Sequence, residues 1–399
     1  MNIPSRFSSA AANSIPLSAP SINGNDWEYI KDCLDTNWVS YAGPYVDRFE
    51  KQLAAEAGSS FATGMNSGTS ALHVALILAG VASDDEVVMP GLSFIAPANA
   101  VRYCGAWPVF TDIRADDWQW DLDQLKTFLE EGCEERSKGL VNKATGRRIA
   151  ALLPVHLLGG MCERNKAAEL ASQFNLPLIE DSAECLGARY RKMSIASPLP
   201  EYEGPSHLVT TSFNGNKIIT TGGGGALFSH DEKLAKAARH LSTTAKTNTI
   251  EFIHDEVGFN YRMTNMAAAM GVAQLEQLQK HVELKRTIAA RYKEAFQSIS
   301  KITAHPQPAH CNSTFWMYTV RLNRMARPVI EGLNLEGILS RPLWAPLPQL
   351  PMFADCYCHG PLLEIEQLYK QALSLPCSVS LSHEEQERVI NSLLEILGI

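Results

Sequence analysis

Between about Gly43 and Gly271, short apolar runs alternate with segments of helical periodicity. The apolar runs predict buried strands at Glu86–Met89, Trp107–Thr111, Ile149–Val155, Leu176–Glu180, His207–Ser212 and Gly225–Ser229. The segments between them predict helices at Thr69–Ala79, Glu163–Phe174 and Asp231–Leu241. Strands that alternate with helices are typical of an α/β fold with a mainly parallel sheet. Such sheets bind ligands beyond the carboxyl ends of their strands, so we expect the functional residues there.

The second part of the chain has a different pattern. Residues 272–298 form one long charged helical segment, and short proline-rich segments follow it between Pro306 and Pro376. We therefore predict two domains, a large one over residues 1–275 and a smaller one over residues 276–399. The first residues are rich in Ser, Ala and Asn and lack the apolar stretch of a secretory signal. Residues 1–14 are therefore expected to form a flexible leader.

Composition and charge argue against several classes of protein. The formal net charge is −8 without a long basic stripe, which argues against a nucleic-acid-binding protein. No run of about 18 apolar residues occurs, so no membrane span is expected. The nine cysteines form no C-x-x-C pair and predict the reduced thiols of a cytoplasmic protein. No metal site is expected, because the tightest cluster, Cys356, Cys358 and His359, lacks a second ligand pair at recognisable spacing.

The segment Met65–Leu72 places a glycine and hydroxyl side chains at the start of the first predicted helix. Gly68 allows the backbone to approach a ligand closely. The amides of Gly68, Thr69 and Ser70 at such a helix end would favour a phosphate group. The alternative is an ordinary Ser/Thr N-cap, and this segment by itself favours that alternative.

Acidic residues end the strand predicted at Leu176–Glu180. Asp181 follows this strand directly, at the edge of the sheet where ligands bind. Its carboxylate can pair with a pyridinium nitrogen and keep it protonated, which makes the ring a better electron sink. An Asp that caps the following helix is an equally good interpretation, and the residues alone leave both open.

Lys217 lies just past the predicted strand His207–Ser212 and before the glycine run Gly222–Gly225. Its neighbours are Asn, Ile and Gly rather than carboxylates, so the amine is a candidate nucleophile and proton shuttle. An exposed loop lysine is the common alternative. Ser212 can bind a phosphate oxygen or be an ordinary strand hydroxyl. The glycine run is not a P-loop, because no G-K-[ST] sequence follows it.

Phe94 and His156 follow two other predicted strands. Phe94 can stack on an aromatic cofactor, although core packing is the favoured interpretation in isolation. His156 ends the strand predicted at Ile149–Val155 and is expected to face the same crevice, where a single His is more often structural.

Taken together, these segments resemble the DegT/DnrJ/EryC1/StrS family of sugar aminotransferases. The resemblance extends from about Ile15 to Pro351 in both order and spacing. Its matching stretches are Asn37–Ser40, Asn66–Leu72, Pro90–Pro97, Val155–Gly159, Ile179–Gly187, Ser212–Lys217 and Gly258–Gly271. It implies the fold of PLP-dependent transferases of type I, similar to aspartate aminotransferase. The large domain would then contain a mainly parallel seven-stranded sheet, and the small C-terminal domain would be α+β.

The resemblance also implies a role for each candidate residue. Lys217 would hold pyridoxal 5'-phosphate (PLP) as a Schiff base and move the proton between the substrate and cofactor carbons. Asp181 would pair with the pyridine nitrogen, Phe94 would cover one face of the ring, and Glu184 would lie near the phenolic oxygen. The cofactor phosphate would contact Gly68, Thr69, Ser212 and, from the neighbouring subunit, Asn260. The protein would therefore be a homodimer with shared active sites.

Within this family, three segments resemble most the branch that aminates C4 of UDP-linked 4-keto-6-deoxy-N-acetylhexosamines: Ser212–Gly225, Glu251–Asn265 and Arg341–Trp344. This implies transfer of an amino group, from L-glutamate, to a nucleotide-linked sugar used in bacterial surface polysaccharides such as O-antigen. The expected substrate contacts are His156, Arg262 and Arg341. Many relatives carry a His soon after the Trp of the last segment, whereas this chain reads Ala345–Gln349 without one.

Three alternative functions compete with this interpretation. Some relatives are sugar dehydratases, but they replace the Schiff-base lysine with His, and Lys217 argues against that activity. An amino-acid transaminase or lyase would need a C-terminal arginine to clamp an α-carboxylate, and Arg341 is a weak candidate. A non-catalytic, PLP-binding regulatory protein would not need the complete set of Lys217, Asp181 and Ser212.

Overall fold

The computed structural model describes residues 14–248 and 250–399, so most of the predicted leader lies outside the described residues. The α-helices are α1 (Asp26–Asp35), α2 (Pro44–Ala57), α3 (Gly68–Leu78), α4 (Ala96–Tyr103), α5 (Leu122–Thr127), α6 (Arg164–Gln173), α7 (Glu232–Ser242), α8 (Asn265–Phe296), α9 (Arg327–Leu335), α10 (Leu363–Gln371) and α11 (His383–Leu397). None of the helices in this part of the chain has the length and apolar character needed to cross a membrane.

The strands form one large sheet, one four-stranded sheet and three short ribbons. They are β1 (Phe61–Met65), β2 (Glu86–Pro90), β3 (Trp107–Thr111), β4 (Cys133–Arg136), β5 (Gly139–Asn142), β6 (Ile149–Leu152), β7 (Leu178–Asp181), β8 (Arg189–Tyr190), β9 (His207–Ser212), β10 (Gly225–Ser229), β11 (Lys246–Asn248), β12 (Ile253–His254), β13 (Ile302–Ala304), β14 (Cys311–Asn312), β15 (Tyr318–Leu322), β16 (Arg341–Pro342) and β17 (Ala372–Leu375).

The large sheet has seven strands in the order β1-β10-β9-β7-β6-β2-β3. Only β10 runs against its two neighbours, because β1 and β9 both pair with it in antiparallel fashion. The remaining pairs are parallel. The predicted α/β class with a mainly parallel sheet is therefore confirmed. The carboxyl ends of β1, β9, β7, β6 and β2 meet at one edge, where ligands of such sheets bind.

Two predicted strands have different bounds in the structure. The strand predicted at Ile149–Val155 ends at Leu152, and the one predicted at Leu176–Glu180 begins only at Leu178. Pro154 and Pro177 flank these strands, and a proline has no N–H to donate to a neighbouring strand. Beyond Leu152 the chain still pairs at one isolated bridge, between Val155 and Asp181.

The long C-terminal helix begins earlier than the sequence predicts. α8 starts at Asn265 rather than residue 272, because the Thr264 hydroxyl accepts a hydrogen bond from the Ala267 N–H and caps the helix. Residue 275, the predicted domain boundary, consequently lies inside one continuous helix. The four-stranded antiparallel sheet, in the order β13-β15-β17-β16, comes after this helix. A division of the chain within α8 remains a prediction.

The segment that contains Cys356, Cys358 and His359 lies along β3, an outer strand of the large sheet. The Phe110 N–H donates to the Tyr357 carbonyl at 3.0 Å, and the His359 N–H donates to the Phe110 carbonyl at 2.9 Å. This segment thereby satisfies backbone groups that an edge strand would otherwise leave open.

Candidate active site

A cavity of about 1080 Å³ lies at the carboxyl edge of the large sheet and extends to β16 and β17 of the small sheet. Nine of the residues singled out from the sequence line it: Gly68, Thr69, Phe94, His156, Asp181, Glu184, Ser212, Lys217 and Arg341. Asn260 and Arg262 do not line this cavity. The fold therefore brings residues from six separated segments to one place.

Lys217 lies in the loop between β9 and β10, on a turn in which its N–H donates to the Asn214 carbonyl at 3.0 Å. Its side chain is only 12% exposed. The Nζ atom is 3.6 Å from Oε1 of Glu184 and 4.0 Å from the ring centroid of Trp316. Lys217 is therefore a largely buried amine inside the cavity, unlike the exposed loop lysine that the sequence left open.

Glu184 is held in place by a backbone segment with unusual geometry. The Leu158 N–H donates to Oε2 of Glu184 at 2.7 Å. Leu158 has a φ of +60°, a left-handed conformation that non-glycine residues seldom adopt and that often occurs at functional sites. Burial raises the pKa of Glu184 to about 7, against the opposing effects of Lys217 and the Leu158 N–H. This carboxyl group can therefore change its protonation near neutral pH.

Asp181 is the last residue of β7 and lies opposite Thr210 of β9. Its Oδ1 accepts a hydrogen bond from the Ala183 N–H at 2.9 Å. No helix begins here, so the interpretation of Asp181 as a helix cap is wrong; the carboxylate closes a tight turn instead. Burial raises the pKa of Asp181, and the Ala183 N–H and the charge of Lys217 oppose this effect.

The N-terminus of α3 faces the cavity beside Ser212. Ser67 is the N-cap, and its hydroxyl accepts from the Ser70 N–H at 3.0 Å. A Cβ on Gly68 would lie 2.8 Å from Cβ of Ser212, and one on Gly225 would lie 2.4 Å from the Gly68 nitrogen. Only glycines at these two positions allow the helix end to pack this closely against β9 and β10.

These residues fit PLP as a cofactor. The helix N-terminus and the Ser212 hydroxyl suit a phosphate group, since both can donate hydrogen bonds to an anion. Lys217 supplies an amine for the aldehyde, and Asp181 supplies a buried carboxylate for the ring nitrogen. Phe94 is 54% exposed although it is a large apolar residue, so its ring remains available to cover a planar ligand.

His156 lines the cavity and belongs to a buried network of hydrogen bonds. The Cys162 N–H donates to Nδ1 of His156 at 3.4 Å, so Nε2 carries the proton and donates to Oε2 of Glu180 at 3.0 Å. Glu180 also accepts two hydrogen bonds from Arg164 at 2.7 Å and one from His207 at 2.6 Å. Burial raises the pKa of Glu180, but the ion pair with Arg164 and the hydrogen bonds from His156 and His207 outweigh this effect. They hold the pKa of Glu180 well below its usual range.

The expected contact of His156 with the substrate stays a prediction, since His156 lines the cavity. Both of its ring nitrogens are engaged inside the protein, and the residue is fully buried. The His156 N–H also donates to the Asp181 carbonyl at 3.0 Å. His156 therefore connects the end of β6 to the residue that closes β7, and its role in this structure is to support the backbone beside Asp181.

Arg262 is placed differently from the sequence expectation. It is buried, and its guanidinium donates to Oε1 of Glu50 at 2.7 Å and to the Gly64 carbonyl at 2.9 Å. In this structure Arg262 fixes β1 and α2 rather than facing the cavity. Asn260, two residues earlier, is exposed on the surface, and its carbonyl accepts from the Asn66 side chain at 3.3 Å.

Several cavity residues were not found from the sequence. Arg327 at the start of α9, Ser340 and Trp316 all line the cavity. Arg327 and Arg341 are exposed, and neither guanidinium group has a hydrogen-bond or ion-pair partner among the described residues. The hydroxyl of Ser340 is buried and likewise without a partner in the described part of the chain. No short motif marks these residues, because they lie on separate elements that only the tertiary fold brings together.

Comparisons with known proteins agree with this geometry. The model of the DegT/DnrJ/EryC1/StrS aminotransferase family matches residues 20–394. EpsN of Bacillus subtilis (strain 168) is 36% identical over 387 residues, which cover 96% of this chain and 95% of that protein. GDP-perosamine synthase of Caulobacter vibrioides is 36% identical over 388 residues, which cover 96% and 98% of the two chains.

A solved structure shares the whole architecture. The aminotransferase TlmJ from Streptoalloteichus hindustanus is similar with a TM-score of 0.86 and 26% identity, covering 96% of this chain and 99% of that one. Aminotransferases of the matched family depend on PLP, and the cavity supplies each group that this cofactor needs. The family match, the relatives at 36% identity and the shared fold together show that the chain belongs to the DegT/DnrJ/EryC1/StrS aminotransferase family, and that its cofactor is pyridoxal 5'-phosphate.

Proposed function

We propose that this protein transfers an amino group from an amino acid, L-glutamate, to C4 of a nucleotide-linked 4-keto-6-deoxy sugar. One observation carries the proposal: a large cavity holds Lys217 and Asp181 together with Arg327 and Arg341, two arginines whose guanidinium groups lack partners among the described residues. A guanidinium group binds phosphate through paired hydrogen bonds, and a nucleotide sugar has a diphosphate that needs such donors. The cavity volume of about 1080 Å³ also exceeds what an amino acid alone requires.

The cavity residues would have different roles in transamination. PLP, when bound, supplies an aldehyde that takes up amino groups and a ring that withdraws electrons from the neighbouring carbon. Lys217 would hold the cofactor covalently, and its amine, once free, would move a proton to or from the substrate carbon. Asp181 would keep the ring nitrogen protonated, and Glu184 would accept or return a proton beside Lys217.

The other residues orient the cofactor. Gly68, Thr69 and Ser212 hold the phosphate, and Phe94 covers one face of the ring and excludes water from it. Each of these roles is a proposal that rests on the shared cavity. The unpaired arginines and the buried Ser340 hydroxyl would bind the nucleotide end of the sugar substrate.

Two nucleotides are candidates for the sugar substrate. The segments Ser212–Gly225, Glu251–Asn265 and Arg341–Trp344 favour a UDP-linked N-acetylhexosamine by their resemblance to that branch of the family. A GDP-linked sugar is favoured by the 36% identity to a GDP-perosamine synthase. We propose that the product enters bacterial surface-polysaccharide synthesis in either case.

A homodimer with shared active sites is part of the proposal. Ile250, Phe252 and Val257 are large apolar residues that are mostly exposed on and beside the β11–β12 ribbon, close in sequence to exposed Asn260. Large apolar residues that are exposed and close together in the sequence favour a surface that another protein chain covers. A second copy of this chain would cover it and place Asn260 near the partner's cofactor phosphate.

The nine free cysteines fit a reducing, cytoplasmic compartment.

A half-reaction screen tests the proposed function. The purified protein is first loaded with amino groups from L-glutamate, and UDP- and GDP-linked 4-keto-6-deoxy sugars are then added one at a time. The return of the PLP absorbance identifies the acceptor. Failure of every nucleotide-linked keto sugar, with α-keto acids reacting efficiently instead, would replace this proposal with an amino-acid transaminase.

Arginine variants test the proposed nucleotide contact in the same assay. Arg327→Gln and Arg341→Gln should each raise the sugar KM roughly tenfold or more, because each removes a charge-assisted hydrogen bond. Their reaction with glutamate should change much less. Arg324→Gln is the matched control, since Arg324 is exposed nearby but does not line the cavity. Equal KM values for all three variants would contradict the contact.

A further inference from the structure

Trp316 contacts the loop that carries Lys217 at two points. This residue lies just before β15 of the small sheet, and its indole N–H donates to the Asn216 carbonyl at 2.6 Å. The face of the same ring lies 4.0 Å from Nζ of Lys217. One side chain therefore fixes the peptide immediately before Lys217 and also touches its amine.

The Trp316 ring is itself held firmly. Lys285, a buried residue of α8, donates from its Nζ to the Trp316 carbonyl at 2.8 Å. The ring stacks on Trp344 with an interplanar angle of 7° and a centroid distance of 6.4 Å. Trp316 is only 4% exposed. Because both the backbone and the ring face of Trp316 are packed, the ring can restrict the positions that a flexible neighbouring side chain adopts.

Two groups that attract the lysine amine lie close to it. Nζ is 3.6 Å from Oε1 of Glu184 and 4.0 Å from the ring centroid of Trp316. An aromatic face attracts an ammonium group through the negative charge of its π-electrons. Lysine has a long, flexible side chain. When a substrate amine replaces the lysine on the cofactor aldehyde, the lysine amine is free for part of every catalytic cycle.

We propose that Trp316 is a positioning residue for Lys217. Its indole N–H fixes the backbone beside Lys217, and its ring face holds the free amine next to Glu184. This inference rests on the covalent role proposed above for Lys217. Without the ring, the amine would have more rotamers to search, and its covalent capture of the cofactor would slow.

Two variants separate the two contacts. Trp316→Phe keeps an aromatic face but loses the N–H donor, whereas Trp316→Leu loses both. Trp120→Phe is the matched control, because the buried Trp120 also donates its indole N–H at 2.6 Å, to Thr111, outside the cavity. PLP is removed from each full-length protein and then added back. The rate of covalent attachment is followed by absorbance, and Lys217 is identified by borohydride reduction and peptide mass spectrometry. Thermal unfolding of every variant is recorded in parallel.

We expect the rate of covalent PLP attachment to fall about fivefold in Trp316→Phe, because this variant loses one hydrogen bond. It falls about thirtyfold in Trp316→Leu, which loses the cation–π contact as well. Trp120→Phe should attach PLP at the wild-type rate even if its melting temperature falls. Wild-type rates in both Trp316 variants, or an equal loss in the control, would overturn the inference. If the wild-type protein itself left Lys217 unlabelled, the proposed function would fail instead.

Discussion

Asp181 and Glu184 are two buried carboxyl groups, three residues apart, with different surroundings. Asp181 accepts a hydrogen bond within its own turn, at the end of β7. Glu184 accepts one from the left-handed Leu158 and lies 3.6 Å from the Lys217 amine. Because only Glu184 is this close to an amine, we assign the proton exchange to Glu184 and the pairing with the ring nitrogen to Asp181.

Replacement of Asp181 by Asn should lower turnover by about two orders of magnitude or more while the protein stays folded. An amide does not hold the ring nitrogen protonated, so the ring withdraws electrons less effectively. Steady-state turnover with glutamate and the accepted keto sugar is the measurement, with thermal unfolding as the check on folding. A variant with near-normal turnover would show that Asp181 does not have this role.

Glu184 should give the stability of the cofactor-free protein a specific pH dependence. Its native pKa of about 7 is above the ordinary value of 4.5, so the folded protein binds this proton more tightly than the unfolded chain does. The resulting stabilisation is complete below about pH 4.5 and is lost as the pH rises through about 7. Relative to Glu184→Gln, the wild type should lose up to about 3 kcal/mol of unfolding free energy across this range.

Urea unfolding at several pH values measures this difference. Glu331→Gln is the control, because it makes the same chemical change at a residue that is exposed on α9 and does not line the cavity. If the wild type and Glu184→Gln kept a constant difference from pH 4.5 to 7.5, the buried carboxyl would have an ordinary pKa. The proton exchange assigned to Glu184 would then lose its physical basis.

The site residues that could be predicted from sequence are those next to a strand end or a helix start. Asp181 and Ser212 end β7 and β9, and Gly68 begins α3, so local patterns mark all three. Trp316 and Arg327 belong to elements of the second half of the chain, and no local pattern relates them to Lys217. The hydrogen-bond partners of Arg262 and His156 also could not be predicted from the sequence, because Glu50 and Glu180 come from other segments.

At the scale of elements, the phosphate end of the site depends on the close packing of α3 against β10. Met65 of β1 pairs with Gly225, and Gly225 pairs with Ser212, so three neighbouring strands meet where α3 begins. The sequence predicted β9, β10 and α3 nearly to their observed ends. It did not predict β1, whose short run of Phe, Ala, Thr and Gly lacks a strong apolar signal.

Gly225→Ala should displace the start of α3. The new Cβ would lie 2.4 Å from the Gly68 nitrogen and the Ser67 carbonyl carbon, and these backbone atoms have to move to relieve the contact. We expect a loss of about 1–3 kcal/mol in unfolding free energy and a clear loss of PLP affinity. Gly215→Ala is the matched control, because its Cβ would meet no atom within 4 Å.

Denaturant unfolding and PLP titration of both glycine variants measure these effects. PLP binding should weaken in Gly225→Ala and stay near the wild-type level in Gly215→Ala. Unchanged PLP affinity in Gly225→Ala, despite a loss of stability, would mean that the α3 N-terminus does not hold the phosphate.

For the whole molecule, the exposed apolar residues near β11 and β12 should mediate dimer formation. Val257 and Ile250 are 85% and 88% exposed. A charge at Val257 would have to be buried without a partner if a second copy covers this surface, so Val257→Glu should weaken the dimer strongly. Analytical ultracentrifugation of the wild type and the variant measures the dissociation constant.

Leu335→Glu is the matched control for this experiment. Leu335 is 89% exposed on α9, far along the sequence from the ribbon, and its replacement should leave the association state unchanged. A monomeric wild-type protein, or a Val257→Glu variant that dimerises like the wild type, would rule out this surface as the dimer interface. α8 is continuous across residue 275, and the division of the chain into two domains there stays a prediction.

The most direct test of the central claim is covalent labelling of the lysine in the cavity. The protein is incubated with PLP, reduced with borohydride and digested, and the modified peptide is identified by mass spectrometry. We expect a yellow protein before reduction and one dominant label, on Lys217, with Lys285 unlabelled because its buried amine donates to the Trp316 carbonyl. A protein that stays colourless, or a label absent from residue 217, would contradict the account.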